Sequence, residues 1–162
     1  MSKINRDPLP NPAQRLAEAV SRRMYEQDSA TQELGIELDT ISPGYARLHM
    51  QVRESMLNGH RTCHGGFIFT LADSAFAYAC NSHNQNTVAA RASIDFLAPA
   101  RAGDRLTAVA EERTIAGRTG VYDITVRDQQ DRLIALFRGN SYRIQGTILS
   151  EDEVHKLQTP ES

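Results

Sequence analysis

The sequence predicts an α+β domain in which an antiparallel sheet wraps around one long apolar helix, with a further helix ahead of it. Three observations carry that prediction. The run from Phe67 to Cys80 holds a single charge, Asp73, among Phe67, Ile68, Phe69, Leu71, Ala72, Ala75, Phe76, Ala77, Tyr78 and Ala79. A helix apolar on every side is normally buried. Apolar and polar residues alternate in a series of short stretches on both sides of that run, as half-buried strands do. Turn-forming residues separate these stretches at short intervals, which suits antiparallel neighbours.

Taken in order, residues 1–12 hold three prolines and read as a flexible lead-in. From residue 13 to about residue 28, Leu16, Ala19, Val20 and Met24 recur at helical spacing. Ile36 and Leu38 then alternate with polar positions, Ser42-Pro43-Gly44 marks a turn, and Ala46, Leu48, Met50 and Val52 alternate again, giving a β-hairpin. The loop NGHRTCHGG leads into the long helix, which a polar cluster from Asn81 to Asn84 should stop. Val88, Ala90, Ala92, Ile94 and Phe96 form the next period-2 row, followed by Leu106, Ala108 and Ala110. Tyr122, Ile124 and Val126 form a third row, and Leu133, Ala135 and Phe137 a fourth. Turn chemistry at residues 99–104, 116–118 and 128–131 separates them, so the four strands are expected in meander-like succession. Residues 13–146 are thus expected as one domain, and the polar residues 147–162 as a loose tail.

Bulk properties narrow the function classes. The chain has 162 residues, enough for one domain with a substantial core, and a formal net charge of −2 gives no strong field toward nucleic acid or anionic lipid. No apolar run approaches the roughly 20 residues needed to span a membrane, and the N-terminus lacks the apolar core of a signal peptide. Two cysteines, Cys63 and Cys80, without an export signal point to free thiols in a reducing cytoplasm. Neither a nucleic-acid partner nor a membrane partner is expected.

The chemistry concentrates around the long helix. A Gly-Gly pair at a helix start, Gly65 and Gly66, lets a ligand approach the backbone where first-turn amides point outward unpaired. Such amides suit an anion or a developing oxyanion, although close packing alone also explains two glycines. Asp73 is either a structural carboxylate held by Ser74, Thr70 or backbone groups, or a catalytic one. It lies eight positions past Gly65, roughly 12 Å along the axis at ~1.5 Å per residue. A general base must sit within about 3 Å of its proton or act through one water. Asp73 therefore cannot serve an oxyanion site at the start of its own helix, and one active site holding both groups needs two copies. His60, Cys63 and His64, or Cys80 with His83, match no standard zinc spacing, so no metal is expected. Arg61, Arg101 and Arg118, in loops and turns, are candidates for contacting the phosphates of a carrier.

With these residues in place, the chain closely resembles the hotdog-fold acyl-CoA thioesterases, and within them those of bacterial phenylacetate degradation. The resemblance runs from about Asn58 to Gly146 and is strongest in NGHRTCHGG, LADSAFAYACNS, IDFLAPARAGD, GVYDI and ALFRGNSYRI. It implies a homodimer with the long helices side by side, usually paired again into a homotetramer, with active sites at the dimer interface. It further implies that the Gly65 amide polarises the thioester carbonyl while His64 and Asn58 shape that corner. Asp73 of the other subunit would be nucleophile or general base, and Ser74 stands where the family has a small hydroxyl residue beside the carboxylate. The expected reaction is hydrolysis of phenylacetyl-CoA or a ring-hydroxylated relative to the free acid and CoA. CoA enters as part of the substrate, and no separate cofactor is implied. A hotdog hydratase or dehydratase, and a non-catalytic acyl-CoA-binding regulator, remain as alternatives.

Overall fold

The computed structural model describes residues 11–158. The flexible lead-in expected over residues 1–12 falls outside the described residues except for Asn11 and Pro12, which begin helix α1 (Pro12–Gln27). The Asn11 side chain accepts the Gln14 amide, and proline occupies the first turn, where its missing N–H costs nothing. The helix expected to about residue 28 ends one residue earlier because Asp28 caps a second, short helix, α2 (Ser29–Glu33), by accepting the Thr31 amide.

Six antiparallel strands follow: β1 (Glu37–Ser42), β2 (Tyr45–Gln51), β3 (Thr87–Phe96), β4 (Arg105–Ala116), β5 (Thr119–Arg127) and β6 (Leu133–Arg143). Their spatial order is β1-β2-β4-β5-β6-β3. The expected meander therefore holds for β4, β5 and β6 and fails for β3, which lies at the far edge beside β6. Alternation reports which face a residue occupies and not which strand it pairs with. The chain returns from β3 to β4 across the end of the sheet, pinned along the way. Leu97 N–H donates to Ile134 O at 2.8 Å, Ala100 O accepts from Cys63 N–H at 2.7 Å, and Val52 exchanges backbone bonds with Gly103 and Asp104 at 2.9 and 2.8 Å. A bulge between Ala89 and Arg91 breaks the β3 row, and both Val88 and Phe96 stay exposed on this edge strand.

Helix α3 (Gly65–Asn81) lies over the sheet. Ile68, Leu71, Ala72, Ala75, Phe76 and Ala79 are buried, whereas Gly66, Thr70, Asp73 and Ala77, spaced by four, three and four, form an outward stripe of small residues. Phe76 packs between Tyr122 and Phe137, with ring centroids 5.5 and 6.1 Å away. Gly139 in β6 makes room for that ring: a Cβ there would stand 2.7 Å from it. At the helix C-terminus, Glu112 Oε2 accepts from Tyr122 OH and bonds His83 Nε2, each at 2.8 Å.

Residues 147–158 do not form a loose tail. Helix α4 (Glu151–Gln158) packs against α1, with Leu149 buried against Ala19 and Val20. Ser150 and Glu153 cap the helix reciprocally: the Ser150 amide donates to Glu153 Oε2 at 2.9 Å and the Glu153 amide to Ser150 Oγ at 3.3 Å. Asn84 exchanges two bonds with the Leu149 backbone, and Arg23 pairs with Glu153 at 2.6 Å. The Ser150 amide and Arg23 hold the Glu153 carboxyl down at about 2. The segment reads as polar in sequence because only one face of one short helix is apolar.

Gly139→Ala should lower stability by about 1–3 kcal/mol, the usual range for overpacking a filled core. Thermal unfolding followed by circular dichroism checks this, and an unchanged melting temperature would show that the Phe76 ring has room to move.

Candidate active site

The loop ahead of α3 is rigid for reasons visible atom by atom. Asn58 Oδ1 accepts from His60 N–H at 2.9 Å and from Thr62 N–H and Oγ1–H at 3.2 Å each. The Asn58 amide closes the turn onto Thr62 O at 2.9 Å, and Arg61 adopts a left-handed φ of 59°. Leu57 bridges Cys63, and the His64 amide donates to Met56 O at 2.8 Å. Asn58 thus shapes the corner through the backbone, with its carboxamide oxygen fully engaged.

His64 caps α3. Its Nδ1 accepts the Gly66 amide at 3.0 Å, which makes Nδ1 the unprotonated nitrogen. The two glycines therefore divide. The Gly66 amide, expected to face substrate, is engaged by His64. The Gly65 amide bonds to none of the described residues and lies at the positive end of the helix. Gly65 also has a steric reason to be glycine, because a Cβ there would lie 2.9 Å from Phe96 Cζ. Phe96, Leu97 and Pro99 line one wall of a groove of ≈ 460 Å³, with Thr62, Gly65 and Ile68 opposite. Phe96 carries no polar atom and escaped the sequence reading; its position at the end of the β3 row was the available signal.

Asp73 is half-buried on the outward stripe of α3, and among the described residues it makes no hydrogen bond or ion pair. The groups expected to hold it as a structural carboxylate are engaged elsewhere. Thr70 Oγ1 donates to Gly66 O at 2.9 Å, and Ser74 Oγ meets Thr31 Oγ1 at 3.3 Å. Burial raises the Asp73 carboxyl above its ordinary value of 3.8. This leaves a carboxylate that is costly to keep and committed to nothing among the described residues.

The remaining candidates scatter. Arg61 is exposed and pairs with Glu54 at 3.2 Å. Arg101 follows Ala100, the residue that holds Cys63, and its amide donates to Asp104 Oδ2 at 2.8 Å. Both arginines flank the Gly65 corner. Arg118 does not: it sits at the β4–β5 turn, where Thr119 opposes Tyr142, while Phe96 opposes Ala135 at the other end of β6. Seven residues of β6 separate these ends, which at ~3.3 Å per residue is roughly 23 Å. Sequence distance gave no hint of this separation. Burial pushes the Cys63 thiol up to about 11 and the Cys80 thiol to about 12, which removes both as thiolate nucleophiles near neutrality. His83 bonds Glu112 rather than Cys80.

Residues 60–135 match the model of the thioesterase superfamily. The chain is 52% identical over 128 residues to the acyl-coenzyme A thioesterase PaaI of Escherichia coli, covering 79% of this chain and 91% of that one. The solved structure of the E. coli PaaI protein from the phenylacetic acid degradation operon superposes with a TM-score of 0.82 at 49% identity, over 83% of this chain and 98% of that one. A Streptococcus mutans protein solved bound to acetyl CoA superposes with a TM-score of 0.66 at 25% identity, over 69% and 90% of the two chains. Among the described residues, no helix is long and apolar enough to cross a membrane.

The raised Asp73 carboxyl fixes the sign of a stability effect. A carboxyl raised on folding favours the native state when protonated, so its contribution is full below 3.8 and is lost as pH rises through the raised native value. Asp73→Asn should therefore raise the melting temperature at pH 7, and the gain should vanish in acid below about pH 4. Melting curves of both proteins across that range check this; a destabilised Asn variant at pH 7 would mean that the carboxylate is held by favourable contacts.

Proposed function

The chain belongs to the thioesterase superfamily, and we propose that it hydrolyses aryl-acetyl-CoA thioesters, phenylacetyl-CoA or a ring-hydroxylated relative, to the free acid and CoA. One observation carries the reading: a free amide and an unpartnered carboxylate lie on the same helix, too far apart to meet. A second copy resolves this. The small residues of the outward stripe allow another α3 to approach closely, and the exposed β3 edge offers unpaired backbone to a second sheet. A homodimer then places Asp73 of one copy at Gly65 of the other, and pairing of dimers gives a homotetramer. Similarity to an acyl-coenzyme A thioesterase, and a fold shared with a protein that binds acetyl CoA, support the substrate class.

The thioester oxygen accepts the Gly65 N–H, backed by the helix dipole, so negative charge developing on it is stabilised where no side chain is needed. His64 keeps the neighbouring amide occupied and fixes the first turn, and Asn58 holds the loop beneath. Asp73 takes a proton from water as the water oxygen bonds to the carbonyl carbon, or attacks that carbon itself to form an acyl anhydride that water then hydrolyses to the free acid and the regenerated carboxylate. The C–S bond breaks and the departing thiolate of CoA takes up a proton. Arg61 and Arg101 lie where they would meet CoA phosphates, and Arg118 serves a site only from another copy. CoA arrives as substrate, no further cofactor is needed, and the free thiols fit a cytoplasmic enzyme.

Thiol release measured with aryl, short-chain and long-chain acyl-CoAs tests the substrate. Preference for medium or long aliphatic chains contradicts the aryl assignment, and hydration of an enoyl-CoA without thiol release replaces the reaction. Asp73→Asn should lower kcat by about 10²–10⁴, the range for a positioned acid or base. The amide has its own test, because Gly65 is the first helical residue and His64 is already extended, with φ −60° and ψ 133°. Gly65→Pro removes the N–H, while Gly65→Ala places a similar carbon against Phe96 and keeps it. The proline variant should be slower than the alanine variant by on the order of 10²–10³, the effect of losing one oxyanion donor. Equal rates would remove the amide from the mechanism.

A further inference from the structure

Ser74 follows Asp73 on α3, and its hydroxyl is committed in one direction. Asp28, between α1 and α2, accepts the Thr31 amide on Oδ1 at 3.0 Å and the Thr31 hydroxyl on Oδ2 at 2.6 Å. Tyr78 OH donates to the same Oδ2 at 3.5 Å. A carboxylate only accepts, and Thr31 owns one hydroxyl proton, so that proton lies on the short, charge-assisted line to Asp28. The 3.3 Å contact between Thr31 Oγ1 and Ser74 Oγ can then be filled only by the Ser74 proton. Thr31 is 1% exposed, which keeps solvent from relaying the bond differently. Toward every other neighbour, Ser74 offers lone pairs alone.

We propose that Asp28 and Thr31 are positioning residues that hold Ser74 as a hydrogen-bond acceptor for the attacking water. The proposal rests on Asp73 acting as the base of the thioesterase reaction. Adjacent helical residues do not face each other, so Ser74 and Asp73 are placed to share one water between them instead of bonding directly. That water donates one O–H to the Asp73 carboxylate and the other to Ser74 Oγ. Its lone pair is left to face the thioester carbon held on the partner copy's amide. As the new C–O bond forms, one water proton passes to Asp73, the C–S bond breaks, and the thiolate of CoA leaves and is protonated. Were Ser74 free to rotate, it could donate to the water and turn a lone pair away from the carbon. Asp28 and the N-terminal helices beside it thereby act on the chemistry through three oxygen atoms.

The test uses the full-length enzyme and phenylacetyl-CoA hydrolysis. Thr31→Val removes the hydroxyl and keeps the amide that bonds Asp28. It should lower kcat about tenfold, the size of one lost hydrogen bond, with KM within about twofold. Thr31→Ser should restore the rate, which a purely structural role for the methyl group would not allow. Ser74→Ala should show the same kcat loss, and combining it with Thr31→Val should add nothing further. Should Thr31→Val fail to fold, Asp28→Asn supplies the second measurement, because its amide nitrogen donates to Thr31 and releases the Ser74 proton. Wild-type kcat in Thr31→Val or Asp28→Asn, or additive losses in the double variant, would overturn the proposal. Full turnover by Asp73→Asn marks the different failure, that of the base itself.

Discussion

His64 Nδ1 accepting the Gly66 amide is the interaction on which the remainder turns, because it decides which of two neighbouring amides is left over. Without the cap, Gly65 and Gly66 would be equivalent unsatisfied donors and water would serve both. With it, one donor is consumed, the helix entry is fixed, and a single N–H remains at the groove lined by Ile68, Phe96 and Leu97. The cap is held from below by the His64 and Cys63 amides, bonded to Met56 and Ala100, so its geometry is set by the segments that follow β2 and β3 and not by the loop alone. The apolar face of α3 follows from the same anchoring, since a helix fixed at its first turn can bury Ile68, Leu71, Ala75 and Phe76 in one register only.

Asp73 shows the opposite economy. Other half-buried carboxylates packed around α3 have donors among the described residues: Asp28 takes three, and Glu112 takes Tyr122 and His83. Asp73 takes none among the described residues, although Thr70 and Ser74 stand within one turn of it. Those two hydroxyls are turned to the helix backbone and to α2. The result is a carboxylate kept basic by burial and kept available by the diversion of its neighbours, at a cost in stability.

Much of this was legible in the sequence, and the limits have physical causes. Period-2 rows and the apolar run located every strand and the long helix, because burial of one face imposes its period on composition. The axial spacing of Gly65 and Asp73 was also readable, since helix rise is fixed. The position of β3 was not, because its alternation is the same whether it pairs with β4 or with β6. Helix α4 was readable and was missed: Ser150 followed by Glu153 is the pattern of a capping box, and Leu149, Val154 and Leu157 lie on its flank. The diversion of Ser74 lay beyond reach, because it depends on Thr31, forty-three positions earlier, arriving within 3.3 Å.

The crossing from β3 to β4 bears on how the protein is made. The corner that presents the Gly65 amide is closed by Ala100, four residues past the end of β3, and β3 pairs only with β6, the last strand to leave the ribosome. Long-range pairings of this kind are slow, since loop closure must precede the contacts that reward it. The site is therefore among the last parts of the chain to come into existence. A nascent or partly folded chain carries His64, Gly65 and Asp73 in full yet lacks the closed corner around the Gly65 amide, so the candidate site takes shape together with the sheet.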